Sequence, residues 1–130
     1  MAVNRELKPL VWVGRTLEDL RAFPADVQDV MGYALYLAQT GGKHAAAKPL
    51  KGFGGAGVLE IIEDYAGDTY RAVYTVKMAG IVYALHAFQK KARKGVATPQ
   101  EHIDLIKARL RLAVEHCAEW TAARRKERRP

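Results

Sequence analysis

The 130-residue chain contains no serine, a single cysteine and no long apolar run. Without serine there can be no serine nucleophile and no Gly-x-Ser-x-Gly elbow. One cysteine, Cys117, cannot close an internal disulfide, which fits a reducing compartment. It falls on an apolar helical stripe with no neighbours that would lower its pKa, so it reads as core rather than nucleophile. No stretch approaches the length that spans a bilayer, and the start, MAVNRELKPL, lacks a signal-peptide apolar region. A soluble cytoplasmic protein with no membrane contact is expected. The four histidines, His44, His86, His102 and His116, lie far apart with no His-x-x-x-His spacing, and there is no Cys-x-x-Cys. Neither a metal nor an organic cofactor is expected. Glu60, Glu63 and Asp64 sit on or near one strand, with no partner carboxylate to make an acid-base pair.

What is present points to one small domain. The apolar fraction of 49% at this length is enough to bury a core without staples. The net charge is +7, but residues 124–130 hold five cations against Glu127, so +4 of it lies there and +3 remains elsewhere. The reading is a domain over residues 1–120 followed by a basic tail over 121–130, and cation placement matters more than the total.

Residues 58–93 organise the chain. Three apolar runs, Val58–Tyr65, Tyr70–Lys77 and Ile81–Phe88, are separated by Ala66–Thr69 and Met78–Gly80, the signature of an antiparallel meander. In the middle run Tyr70, Ala72, Tyr74 and Val76 share one face, and Arg71, Val73, Thr75 and Lys77 the other. The third run leads into the basic cluster Lys90, Lys91, Arg93 and Lys94.

Upstream, KPLVWV (Lys8–Val13) reads as a first strand. Thr16-Leu17-Glu18-Asp19 starts a short helix that stops at Phe23-Pro24. Pro24 opens a second helix, in which Val27, Val30, Met31, Ala34, Leu35 and Ala38 recur at helical spacing until Gly41-Gly42. Residues 43–57 are the least structured. Their Gly52-x-Gly54-x-x-Gly57 is no dinucleotide fingerprint, because a helix precedes it and a strand follows, the reverse of what that motif needs. Thr98-Pro99-Gln100-Glu101 has the form of a capping box. After it, Ile103, Ile106, Leu110, Ala113, Val114, Cys117 and Trp120 form an apolar stripe. The expected fold is α+β: a small, largely antiparallel sheet with an N-terminal helical hairpin and a C-terminal helix on one face, leaving the other open as the site.

TYRAVYTV and LHAFQKKARKG, followed by a Thr-Pro-initiated helix, resemble the RelE/ParE toxin superfamily, specifically its phage-derived HigB-like (Tad-type) branch, over roughly residues 8–118. The resemblance implies a type II toxin: a metal-independent endoribonuclease acting on mRNA at the ribosome, held inactive by a helix-turn-helix antitoxin in a hetero-oligomer. In that scheme the substrate 2′-hydroxyl is the nucleophile, and cations stabilise the charged phosphorane. Arg71 matches the sheet arginine that contacts the phosphate. Lys91 or Lys90 matches the basic residue past the last strand, and Lys48 and Lys51 lie where base-role lysines occur. Lys77, Arg93, Lys94 and Phe88 are the expected RNA-binding residues. The family's tyrosine after the cluster is missing here, and His86 or His102 could substitute. Two alternatives stay open: a ParE-like non-enzymatic inhibitor of DNA gyrase, and a phage-derived protein that only binds its antitoxin. Arg71 could also simply pair with Glu60 or Glu63 across the strands.

Overall fold

The computed structural model describes residues 6–90 and 98–127. Its elements are β1 (Leu10–Trp12), α1 (Thr16–Arg21), α2 (Ala25–Gln39), β2 (Lys48–Pro49), β3 (Val58–Tyr65), β4 (Asp68–Thr75), β5 (Val82–Lys90) and α3 (Gln100–Glu127). The sheet runs in the order β1-β5-β4-β3-β2, antiparallel throughout except that β1 pairs parallel with β5. The α+β class and the largely antiparallel sheet are as expected. β3 and β4 are joined by Ala66-Gly67, both at positive φ (50° and 86°), the tight turn whose twist suits a hairpin. Residues 43–57 add β2, whose Lys48 pairs with Glu60 and Pro49 with Leu59, leaving the proline on an edge where its missing donor costs nothing.

The helices do not share a face, which corrects the expected layering. α1 and α2 bury Leu20, Phe23, Val27, Met31, Ala34, Leu35 and Ala38 against Leu59, Ile61, Tyr70, Ala72, Tyr74, Val82 and Ala84. α3 lies on the opposite side, its Ile103, Ile106, Leu110, Ala113, Cys117 and Trp120 against Val58, Val73, Tyr83 and Leu85. Both faces of β3–β5 are apolar enough to attract a helix: Val73 and Thr75, on the face with Arg71, are 1% and 0% exposed. The face expected to be open is therefore half covered. α3 also extends to Glu127, so residues 121–127 are helical where a tail was expected. No helix among the described residues is long and apolar enough to cross a membrane.

A bulge in β5 decides which side chains meet α3. Val73 pairs with His86, but Tyr74 pairs with Ala84, so Leu85 is the extra residue. Strict alternation would put His86 and Phe88 with Val82 and Ala84 under α1 and α2. The extra residue flips the second half of the strand and turns His86 and Phe88 toward α3.

Candidate nucleic-acid groove beside the third helix

Between the N-terminal half of α3 and the β2 edge lies a groove of about 500 Å³. Glu60, Ile62 and Arg71 line it from the sheet, Thr98, Gln100, Ile103 and Lys107 from the α3 side, and residues 48–52 from β2 and the loop that follows it. Gln100, Ile103 and Lys107 fall at helical spacing, so one flank of α3 forms that wall. Three of the expected site residues, Lys48, Lys51 and Arg71, thus come together. Lys48 and Lys51 are exposed, so their ammonium groups are available to an anion.

Arg71 is not exposed. It is 2% accessible, and its Nη1 donates to Thr98 Oγ1 at 2.9 Å and to Glu60 Oε2 at 3.3 Å. The Thr98 hydroxyl, expected to cap α3, donates to the same Glu60 oxygen at 2.9 Å. Glu60 faces Val73 in the register, one diagonal step from Arg71, which places the pair on one face of the sheet. A buried guanidinium needs a carboxylate, since an uncompensated charge at that depth costs several kcal/mol. Arg71 therefore sits beneath the groove, holding the Glu60 carboxylate, rather than on an open face reaching for a phosphate.

His86 is 5% exposed, with both ring nitrogens engaged: Arg109 Nη1 lies 3.2 Å from Nδ1 and His102 Nδ1 lies 2.8 Å from Nε2. A guanidinium only donates, so His86 Nδ1 must accept, Nε2 must carry the proton, and His102 Nδ1 must accept in turn. Both imidazoles are then neutral. Burial, reinforced by Arg109 and His102, holds His86 down at about 4. His102 is lowered too, by burial first, with Lys90 and Arg71 adding to it against Glu101. Arg109 also donates to the Leu85 carbonyl at 2.9 Å, and this chain of bonds fastens α3 to the sheet beside the groove. His86 is a fastening, not a group that can reach substrate, which removes it from the catalytic role expected of it.

Phe88 is 7% exposed and stacks on the His102 ring at 3.9 Å between centroids, so its face is not offered to a nucleobase. Lys90, opposite Thr69 in the register, continues the α3 face of β5. Lys77 lies elsewhere, in a separate cleft near the far end of α3. Lys91, Arg93 and Lys94 fall outside the described residues. Among the described residues no group of three His, Cys, Asp or Glu side chains could hold a metal ion.

A family model described as "Phage derived protein Gp49-like (DUF891)" matches residues 18–111. The chain belongs to that family. The match runs from α1 past Lys107 and so contains every described residue that lines the groove. Among solved structures, the chain is similar to E. coli toxin RelE, in a mutant with two arginines replaced by alanine, in the free state. The two share 20% sequence identity and a TM-score of 0.48, over 63% of this chain and 82% of that one. No curated protein sequence matches the chain.

Two groups in the groove of this Gp49-like protein escaped the sequence reading as site residues. The sequence offers Glu60 as a possible partner for Arg71 and as a carboxylate lacking an acid-base partner; its position opposite Lys48 depends on β2, two residues within a stretch that has no strand pattern. Lys107 sits a full helical turn from Ile103 on a helix expected to bury one stripe, and nothing in the sequence says which flank faces β2 and the loop after it.

Proposed function

We propose that this Gp49-like protein is the toxin of a type II toxin-antitoxin pair, a metal-independent endoribonuclease that cleaves mRNA on the ribosome and is neutralised by an antitoxin. The observation that carries the reading is the groove. Lys48, Lys51 and Lys107 line it, Arg71 lies beneath, and Glu60 is the carboxylate among the lining residues. Cations around a single proton acceptor suit transesterification at an RNA phosphate. The resemblance of the Tyr70-Arg71 and Phe88-Gln89-Lys90 segments to RelE-type toxins points to the same chemistry.

The residues divide the reaction as follows. Glu60 accepts the proton of the ribose 2′-hydroxyl, and the 2′-oxygen attacks the adjacent phosphorus. Arg71 and Thr98 orient the Glu60 carboxylate, so the base is held before substrate arrives. Lys48, Lys51 and Lys107 bear on the phosphorane as its charge rises. The bond from phosphorus to the 5′-oxygen breaks, and Lys90 at the end of β5, or the next residue Lys91, supplies the proton to the leaving oxygen. The products are a 2′,3′-cyclic phosphate and a 5′-hydroxyl. The 2′-hydroxyl requirement makes the substrate RNA rather than DNA.

The test is expression of the wild type and of Glu60→Gln, with growth and mRNA ends followed by primer extension. Glu60→Gln keeps the shape of the side chain while losing the base, and is expected to lower cleavage about 100-fold or more. Full cleavage by Glu60→Gln would refute the assignment of the base. Growth arrest with intact mRNA and DNA-damage signatures would instead support gyrase poisoning.

A further inference from the structure

The C-terminal half of α3 carries a second apolar stripe that the core does not use. Ile106, Ala113, Cys117 and Trp120 turn toward the sheet. Val114, Ala118, Thr121, Ala122 and Arg125 follow at helical spacing and line a cleft of about 460 Å³ with Lys77 and Met78. A second cleft of about 580 Å³ adjoins it, sharing Ala79, Thr121 and Arg125 and adding Leu7 and Trp120. The first cleft is mainly apolar and the second mixes apolar and charged groups, and both are open: Val114 is 54% and Leu7 48% exposed. A helix of a protein standing alone gains nothing from such a stripe, and contiguous exposed apolar surface of this kind marks a contact site.

The charge around the walls is predominantly positive. Among the described residues, Lys8, Lys77, Arg124 and Arg125 line the two clefts against a single acid, Glu6. Arg124 is further held over the Trp120 ring, 5.4 Å from its centroid. Lys77, expected to bind RNA, belongs here, its side chain folded across Gly57, where an added Cβ would come within 2.6 Å of it. An apolar stripe on α3 bordered by cations fits an amphipathic segment whose other face is acidic. They suit nucleic acid less well, because the stripe offers aliphatic groups where a base edge needs donors and acceptors.

We propose that this double cleft docks an acidic, amphipathic segment of a protein partner. In taking the occupant to be a protein, the proposal rests on the toxin reading above, with the antitoxin as that partner. Residues 107 and 117 are about 15 Å apart along the helix, so the cleft and the groove are separate sites. Docking is measured without any cleavage, and the two assignments fail independently.

Cys117 lines the cleft, and with no second cysteine in the chain it reports on occupancy alone. The probes are three: a synthetic peptide with Leu and Glu at amphipathic helical spacing, its Lys counterpart, and oligouridylate. Each is titrated against the full chain while the rate of Cys117 alkylation is followed. The Glu peptide is expected to bind and slow alkylation at least fivefold, and the other two to leave it unchanged. Lys77→Glu and the double change Arg124→Glu/Arg125→Glu are expected to weaken the Glu peptide about tenfold or more. Arg111→Glu, exposed but outside both clefts, leaves binding intact. Protection by the Lys peptide or by oligouridylate, or no protection by any probe, would overturn the proposal. So would unliganded self-association that buries Cys117. Far-UV circular dichroism confirms that each variant is folded.

Discussion

Acid should loosen the attachment of α3 through one identifiable histidine. Burial, with Arg109 and His102 adding to it, holds His86 at about 4 against an ordinary 6.5. Above pH 6.5 neither the native nor the unfolded chain binds this proton, and the effect is absent. As pH falls below 6.5 the unfolded chain takes up a proton that the native state refuses, so stability drops, and the loss is complete near pH 4. The full gap is worth on the order of 3 kcal/mol, of which about 2 kcal/mol should be lost between about pH 7 and about pH 5. His102, shifted the same way, adds with the same sign. The control is His86→Gln, whose amide oxygen can accept from Arg109 and whose amide NH2 can donate to His102, but which does not titrate. Urea unfolding followed by circular dichroism at the two pH values measures the difference. The carboxylates common to both proteins cancel. If the wild type and His86→Gln lost the same stability on acidification, the assignment of neutral, donor-locked imidazoles would be wrong.

Other perturbations test the fold and the groove. Arg71→Ala leaves Glu60 buried without its guanidinium and should cost about 3–5 kcal/mol, whereas Arg71→Met with Glu60→Leu should recover most of it in thermal unfolding. Tyr74 is 1% exposed, its hydroxyl is buried with no hydrogen-bond partner, and burial pushes its pKa up to about 12. Tyr74→Phe should therefore stabilise by about 1 kcal/mol, seen as a raised denaturant midpoint. Gly14 has φ +60°, and a Cβ there would lie 2.9 Å from Arg109 Nε. Gly14→Ala should destabilise by about 1–2 kcal/mol and, by displacing Arg109, flatten the acid response described above. Lys48→Ala and Lys51→Ala should each weaken single-stranded RNA binding across all sequences and reduce the salt slope by about 0.7.

Much of this protein was legible in the chain itself, because local patterns there agree with the final packing. The meander from Val58 to Phe88, the helix over Val27–Ala38 and the stripe through Ile106 and Ala113 each follow from periodicity. The possible pairing of Arg71 with Glu60 was visible as well, since a charged residue on a half-apolar strand needs a neighbour of opposite sign. What the sequence could not decide is which side each element takes. A face holding Arg71 and Lys77 looked open, yet Thr75 beside them is buried and Val73 is buried in the cluster packed against α3. Strict alternation along β5 would send His86 and Phe88 to the α1–α2 face, but one extra residue, Leu85, exchanges the faces that the side chains take from there on. A bulge depends on the register with the neighbouring strand, and register is a property of two strands, not one. The groove itself, with Lys48 from an edge strand, Arg71 from the centre and Lys107 from a helix on the far side of the chain, exists only once those choices are made.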